Sequence, residues 1–425
     1  MGMVSKPLAR LRRLVRVISL PAKQKVDPKG ILIQPYRGYG SRSEIFLMGR
    51  VFRQHHRSTS SKETLRDDLA YIARRLFRHG LAGVRLEARL NGTRRQVVSD
   101  RDGYFRIHMR LDRPFSASPT AMWHNVPISL VRPGHAPITA RGEILVPPVT
   151  ARFLVISDID DTIIFTGVAN KLKMLVRLFL HGARSRVAFP GAAALYRALH
   201  HGASQTEMNP LLYVSRGPWG IYEILDEFFN MHQIPIGPIL FLREWGLRLR
   251  RPFPRRSKGH KITLIRKMLS LYHDLPCVLI GDSGQHDPEI YARMVREYPG
   301  RIRAVYIRNV SHSTERLDAI EALAGEIAAQ GSALVLAADS FAMAEHMAQD
   351  GLISGQALGE VLAERMAQEN ETNRRQTRYV TGSSPNQTRR AVEQGALKRK
   401  LEDMASEGDS PPNVVVESES GKEPL

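Results

Sequence analysis

Val155-Ile156-Ser157-Asp158-Ile159-Asp160-Asp161-Thr162 is an apolar run that ends in three carboxylates. Phe153–Ser157 has the length and character of a short buried strand. Ligands in open α/β sheets bind beyond the carboxyl ends of the strands, and that is where this strand would deliver Asp158 and Asp160. Carboxylates at this spacing face one site if the chain leaves regular strand geometry there. One can then attack phosphorus, while the other protonates the leaving oxygen and later activates water. Taken alone, an acidic triplet suits a calcium-binding or merely polar loop equally well, and Asp161 suits a turn or a helix cap.

A second segment narrows the reading. Val278-Leu279-Ile280 runs into Gly281-Asp282-Ser283-Gly284-Gln285-His286-Asp287, again an apolar strand ending in glycine and carboxylates. On neighbouring strands the two loops would gather Asp158, Asp160, Asp282 and Asp287. The repulsion among them calls for a divalent cation. Hard oxygen ligands favour magnesium (Mg2+), which both neutralises the aspartates and orients a phosphate. Leu211–Ser215 ends another strand with a hydroxyl suited to a phosphate oxygen, although a strand-end serine is more often a cap. Lys261 opens a helix just upstream of the second acidic loop. An ammonium there would steady a nucleophilic aspartate and the developing negative charge. Lys258 competes for that role, and either lysine also reads as a solvated helix residue.

The whole chain is consistent with such a site. Its 425 residues suggest two or three domains at about 100–200 residues each. Hydrophobic residues make up 43%, enough to bury a core and to exclude a wholly disordered protein. A formal net charge of +20 favours an anionic partner: nucleic acid, an anionic membrane surface or a phosphate-bearing substrate. The single cysteine, Cys277, rules out an intrachain disulfide, leaves no basis for a Cys-based zinc site and fits a reducing compartment. No uninterrupted apolar run reaches the ~18–20 residues that a membrane span needs. The basic N-terminus lacks the long uncharged core of a secretory signal.

Along the chain, residues 1–30 form a basic arm, read either as a solvated tail or as an amphipathic helix lying on a membrane. Residues 31–148 read as a small β-sandwich-like accessory domain without catalytic chemistry. Its expected strands are Ile31–Gln34, Glu44–Arg50, Val84–Leu90, Val126–Leu130 and Glu143–Val146. A turn is expected at Gly38–Ser41, a hairpin at Asn91-Gly92 and one helix around Lys62–Phe77. After Pro147-Pro148, residues 149–355 alternate strands and helices. The expected fold class there is α/β, a doubly wound parallel sheet with helices on both faces. Residues 365–425 are polar and expected to be disordered.

In order and on these strands, the motifs Asp158-x-Asp160-x-Thr162, Ser215, Lys261 and Gly281-Asp282-x-x-x-x-Asp287 resemble the haloacid-dehalogenase superfamily of aspartate-nucleophile phosphatases. The chain looks closer still to the actin-patch-associated phosphatidate phosphatase family, as a bacterial-type member. That likeness rests on Ser157–Ile163, Tyr213-Val214-Ser215 with Pro218-Trp219, Pro235–Gly237 with Leu242-Arg243, Gly281–Gly284 with Asp287–Tyr291, and Tyr306–Val310. It covers roughly residues 150–350. The resemblance implies a haloacid-dehalogenase-like fold, a nucleophilic Asp158 forming an aspartyl-phosphate, Asp160 as acid/base, and Lys261 beside them. Asp158, Asp282 and the backbone carbonyl of Asp160 would hold magnesium, with Asp287 ordering that site directly or through water. Thr162, Ser215, Arg216 and Arg308 would stand on the substrate side. Arg216-Gly217 replace the small polar residues of the yeast-type motif.

Two insertions bear on the substrate. Asn170–Leu180, just after the first motif, mixes bulky apolar residues with cations. Arg243–Lys261 interleaves Arg248, Arg250, Arg251, Arg255 and Arg256 with Trp245, Leu247, Leu249 and Phe253. A basic, apolar rim suits an anionic lipid surface, where each cation contributes about 1 kcal/mol. The expectation is a Mg-dependent phosphatidate phosphatase, cytoplasmic and peripheral on the membrane. Two alternatives stand beside it: a phosphatase of a soluble phosphomonoester or phosphoprotein, and a non-catalytic membrane or nucleic-acid binding protein. Nucleic acid is disfavoured because no recognised nucleic-acid motif accompanies the arginines.

Overall fold

The computed structural model describes residues 30–53, 80–130, 138–159, 162–163, 189–217, 219–241, 258–311 and 313–381. The basic arm before residue 30, the helix expected around Lys62–Phe77, Asp160, Asp161, both insertions up to residue 257 and the chain beyond Thr381 lie outside the described residues. The described chain up to Arg365 forms one compact unit, and the remainder forms another.

Alternating apolar and polar residues build the front half. Strands β1 (Ile31–Pro35), β2 (Gly38–Gly40), β3 (Glu44–Arg53), β4 (Arg85–Leu90), β5 (Thr93–Val98), β6 (Tyr104–Arg110), β7 (Trp123–Leu130) and β8 (Ile138–Leu145) hydrogen-bond into one eight-stranded sheet. Their order is β1-β3-β2-β8-β7-β4-β5, with β6 paired to β3. Ile45, Leu47, Val51, Leu86, Phe105, Ile107, Val126, Ile128 and Ile144 gather in its core. Asn91 and Gly92 both take positive φ, 47° and 89°, as a two-residue hairpin with right-handed strand twist requires; they join Leu90 to its partner Thr93. The turn expected at Gly38–Ser41 is instead mostly strand, because Tyr39 pairs with Phe46 on one side and Leu145 on the other.

Continuous apolar runs build the second half, as strands buried on both faces must. Strands β9 (Leu154–Asp158), β10 (Leu211–Ser215), β11 (Ile239–Phe241), β12 (Cys277–Asp282), β13 (Ile302–Arg308) and β14 (Ala333–Ala337) form an all-parallel sheet in the order β11-β10-β9-β12-β13-β14. Helices α1 (Ala192–His201), α2 (Tyr222–Met231), α3 (Lys258–Leu271), α4 (Asp287–Glu297), α5 (Thr314–Ala328), α6 (Ser340–Gln349) and α7 (Gly355–Thr381) alternate with these strands or follow them. Strand residues divide by parity. Val155, Tyr213, Ile280 and Tyr306 share a cluster with α1, α2 and α6. Leu154, Ile156, Leu212, Leu279 and Val305 share another with α3 and α4. The protein is therefore mixed α/β with a parallel sheet. Helix α7 runs on to Thr381, so residues 365–381, expected to be disordered, are helical.

Topology fixes where a ligand can enter. From β9 the chain moves outward through β10 and β11, then returns to place β12 against the other side of β9. The connections that follow β9 and β12 therefore lead to opposite sides of the sheet, and a crevice for a ligand is expected outside the C-terminal ends of these two strands. None of the described helices is long and apolar enough to cross a membrane.

Candidate active site

Both acidic loops meet at that crevice. β9 and β12 pair from Leu154↔Cys277 to Ser157↔Ile280, so Asp158 and Asp282 leave adjacent strands at nearly the same level. Asp287 joins them from the first turn of α4, which Pro288 helps to start. Asp158, Asp282 and Asp287 are all fully buried, and ligand oxygens from the three lie within 4.8 Å of one another.

Lys261, from the first turns of α3, reaches into the same cluster. Its Nζ donates to Asp158 Oδ1 at 3.0 Å and to Asp287 Oδ1 at 2.6 Å, and the residue is 1% exposed. The Tyr291 ring lies 5.3 Å beneath that ammonium. Burial disfavours its charge, yet Asp158, Asp287 and Tyr291 together hold its pKa well above the ordinary lysine range. Three buried carboxylates converge here around one lysine, a donor set that a divalent cation can occupy. The donors are all hard oxygens, so the set fits magnesium rather than a thiolate- or imidazole-seeking metal.

Several groups that individual residues did not advertise shape this pocket. Gln285 Nε2 donates to Asp282 Oδ2 at 2.6 Å. Arg316 clamps the second loop, with Nε on the Ser283 carbonyl at 2.8 Å and an NH2 on the Gln285 carbonyl at 2.6 Å. The Ser283 hydroxyl accepts from the amides of Val310 and Ser311, tying the same loop to the end of β13. Gly281 is required by close approach: a Cβ there would lie 2.4 Å from Asp287 Oδ2 and 2.7 Å from its Cβ.

The remaining expected site residues are placed as follows. Val214 pairs with Asp158, so Ser215 sits one residue beyond the level of the aspartate on the adjoining strand. Its buried Oγ accepts from the Gly217 amide at 3.0 Å, the capping role. Thr162 is buried, and its Oγ1 has no hydrogen-bond partner among the described residues. Arg216 lies half-buried on the loop after Ser215. Arg308 is buried at the end of β13. Its guanidinium is engaged by the protein: Nε donates to the Thr162 carbonyl at 3.2 Å, an NH2 donates to Ser340 Oγ at 2.7 Å, and the group stacks 4.2 Å over Phe189. Burial lowers its pKa to about 10, so it keeps its charge at neutral pH while holding the Thr162 carbonyl. Asp160 and Lys258's side chain are not among the described groups.

Comparison with known proteins bears on this stretch of chain. The family described as "Phosphatidate phosphatase APP1, catalytic domain" matches residues 153–309, which contain both acidic loops, Ser215 and Lys261. Phosphatidate phosphatase APP1 of Saccharomyces cerevisiae is 34% identical over 159 residues, 37% of this chain and 26% of its own. An uncharacterised protein of Schizosaccharomyces pombe is 30% identical over 160 residues, 37% of this chain and 25% of its own. A carbohydrate acetylesterase structure from Xanthomonas citri covers 68% of this chain and 71% of its own at 9% identity, but with a TM-score of 0.22 it carries no argument about the fold. The chain spans about a quarter of the length of the curated relatives it matches, and the family match runs from β9 to the end of β13.

Proposed function

We propose that this chain is a magnesium-dependent phosphatidate phosphatase working through an aspartyl-phosphate on Asp158, in a haloacid-dehalogenase-like domain spanning residues 149–355. The observation that carries the proposal is the buried cluster of Asp158, Asp282, Asp287 and Lys261 at the C-terminal ends of adjacent parallel strands. The Asp158 carboxylate attacks phosphorus, and the ester P–O bond breaks. Asp160 gives its proton to the leaving alkoxide, then takes one from the water that attacks the acyl phosphate. Phosphate leaves and Asp158 is regenerated. Lys261 donates to Asp158 and aims it. Asp158, Asp282 and the Asp160 carbonyl would hold magnesium, with Asp287 ordering them. When bound, the cation neutralises the carboxylates and polarises a phosphoryl oxygen. Thr162 and Ser215 offer hydroxyls to the phosphoryl oxygens and Arg216 a charge. Arg308 acts through the Thr162 backbone as a positioning residue.

The lipid assignment draws on the yeast relative's name and on charge. The +20 net charge and the arginine-rich stretch 243–257 suit a cytoplasmic enzyme that works at an anionic phospholipid surface. The front strands, closing on their own core, would form a sandwich-like module beside it. Phosphate release is measured from phosphatidate vesicles and from soluble esters at matched concentration, with chelator and Asp158→Asn as blanks. Preferred, chelator-sensitive release from vesicles is expected. Preference for a soluble ester would remove the lipid assignment, and release surviving both blanks would remove the mechanism.

Gly281→Ala tests the metal arrangement more gently. Its Cβ pushes Asp287 off the cluster, so the half-activating magnesium concentration should rise by about 10–100-fold while the protein stays folded. A magnesium titration of turnover, with melting curves as control, reads this; an unshifted midpoint would exclude Asp287 from the site.

A further inference from the structure

The front sheet carries no catalytic chemistry of its own, yet residues from the end of β1 and just beyond it lie inside the other half's core. Tyr36 is 4% exposed and belongs to the apolar cluster of the parallel sheet. Its ring stacks on Trp219 with centroids 5.0 Å apart and an 18° tilt, and it meets Tyr222 at 4.4 Å. Trp219 in turn lies 4.6 Å from Phe241, at the end of β11. The next residue, Arg37, donates its amide to the Tyr222 hydroxyl at 2.8 Å and pairs its guanidinium with Asp226 and, at 3.0 Å, with Glu143. Gln34 Nε2 bonds Glu223 Oε1 at 2.5 Å. Three front-sheet residues thus grip the first turns of α2.

Those turns are the far end of the loop that leaves Ser215. Only a tight segment separates them: Ser215 accepts from the Gly217 amide, and Gly217 packs so closely on Ile221 that a Cβ would fall 2.3 Å from its Cδ1. Ile221 is buried and directly precedes Tyr222. Contacts from Tyr36 and Arg37 to Tyr222, the peptide bond from Tyr222 to Ile221, and the close approach of Ile221 to Gly217 thus connect the end of β1 to the Ser215 hydroxyl. Movement of Tyr36 or Arg37 has little slack to disappear into, because close-packed interiors transmit displacement.

We propose that Tyr36 and Arg37 are positioning residues for the Ser215–Arg216 loop, so that the front sheet is a working part of the phosphate-binding site. This rests on the reading of Ser215 and Arg216 as phosphate contacts. A contact made alike to bound substrate and transition state appears in KM rather than kcat.

The test compares full-length Tyr36→Ala, Tyr36→Phe and Ile128→Ala. Tyr36→Ala should raise KM for phosphatidate by about tenfold with kcat held within about twofold and the magnesium midpoint unchanged. Tyr36→Phe keeps the stacked ring and should match the parent. Ile128→Ala opens a cavity in the front core away from Tyr36, and should lower the melting temperature without moving KM. Emission of Trp219, read with Trp123 and Trp245 replaced by Phe, should shift to the red in Tyr36→Ala alone. Should Tyr36→Ala fail to fold, Arg37→Ala serves, with a KM rise of about threefold. An unmoved KM in the folded variant, or an equal rise in Ile128→Ala, would overturn the proposal. If the parent shows no Asp158-dependent turnover on any ester, the phosphatase reading has failed instead, and the Trp219 emission still decides whether β1 holds the loop.

Discussion

Asp158→Asn should leave a folded protein whose phosphate release falls by about four orders of magnitude or more. An amide of the same shape cannot attack phosphorus, so the covalent route is lost rather than slowed. The fold should survive because Asp158 is one of two buried carboxylates sharing one lysine, and Lys261 retains Asp287 at 2.6 Å. Removing one negative charge also relieves repulsion in a pocket where little water screens it. Circular dichroism and a melting curve in chelator would show the retained fold. A phosphate-release assay with purified variant reads the loss. A drop of less than about tenfold would mean that water attacks the substrate directly and Asp158 only binds metal.

Lys261→Met should have the largest effect on stability. Methionine matches the lysine stem in volume but leaves Asp158 and Asp287 buried without their ammonium. Breaking a buried ion pair from one side costs about 3–5 kcal/mol, and here two carboxylates lose their partner at once. Urea unfolding in chelator should show a loss of that size. Saturating magnesium should return part of it, about 2.7 kcal/mol when the free ion stands at a hundred times its Kd. Turnover should fall by about 10²–10³-fold even with magnesium present, because the ammonium also faces the charge that develops during transfer. A loss of stability below about 1 kcal/mol, alike with and without magnesium, would show that the lysine is not the counter-charge of this cluster.

The parallel sheet was readable because its strands are buried on both faces. Leu211–Ser215 stands where its apolar run places it, and the strand built on Val278-Leu279-Ile280 runs from Cys277 to Asp282. The loops after β9 and β12 were readable for the same reason, since glycine and aspartate interrupt a run that otherwise continues. Elements with little burial left weaker marks. Helix α5 buries Ile320 and Ile327 and shows solvent most of its remaining surface, so its period is faint. Strand β5, Thr93–Val98, is a polar edge that only the hairpin at Asn91-Gly92 betrays. The contact of Arg308 with Thr162 spans 146 residues of chain, so no local pattern announces it. The grip of Tyr36 and Arg37 on α2 is hidden likewise: each reads locally as a residue at a strand end.

Bracing from outside the cluster is the common theme of what was hidden. Arg308 holds the first acidic loop, Arg316 the second, and Tyr36 with Arg37 the segment after Ser215. Each acts on backbone or on a neighbouring ring rather than on a reacting atom. Such supports decide whether catalytic side chains sit within reach of one phosphoryl group, and small displacements there are costly.

The most direct measurement is acid quenching of the full-length enzyme during turnover of phosphatidate with magnesium, followed by peptide mass analysis. One phosphoryl group should be found on the peptide carrying Asp158, lost on treatment with hydroxylamine and absent from Asp158→Asn. Rapid turnover with no phosphoryl group on that peptide at any quench time, or with the label on another residue, would contradict the account.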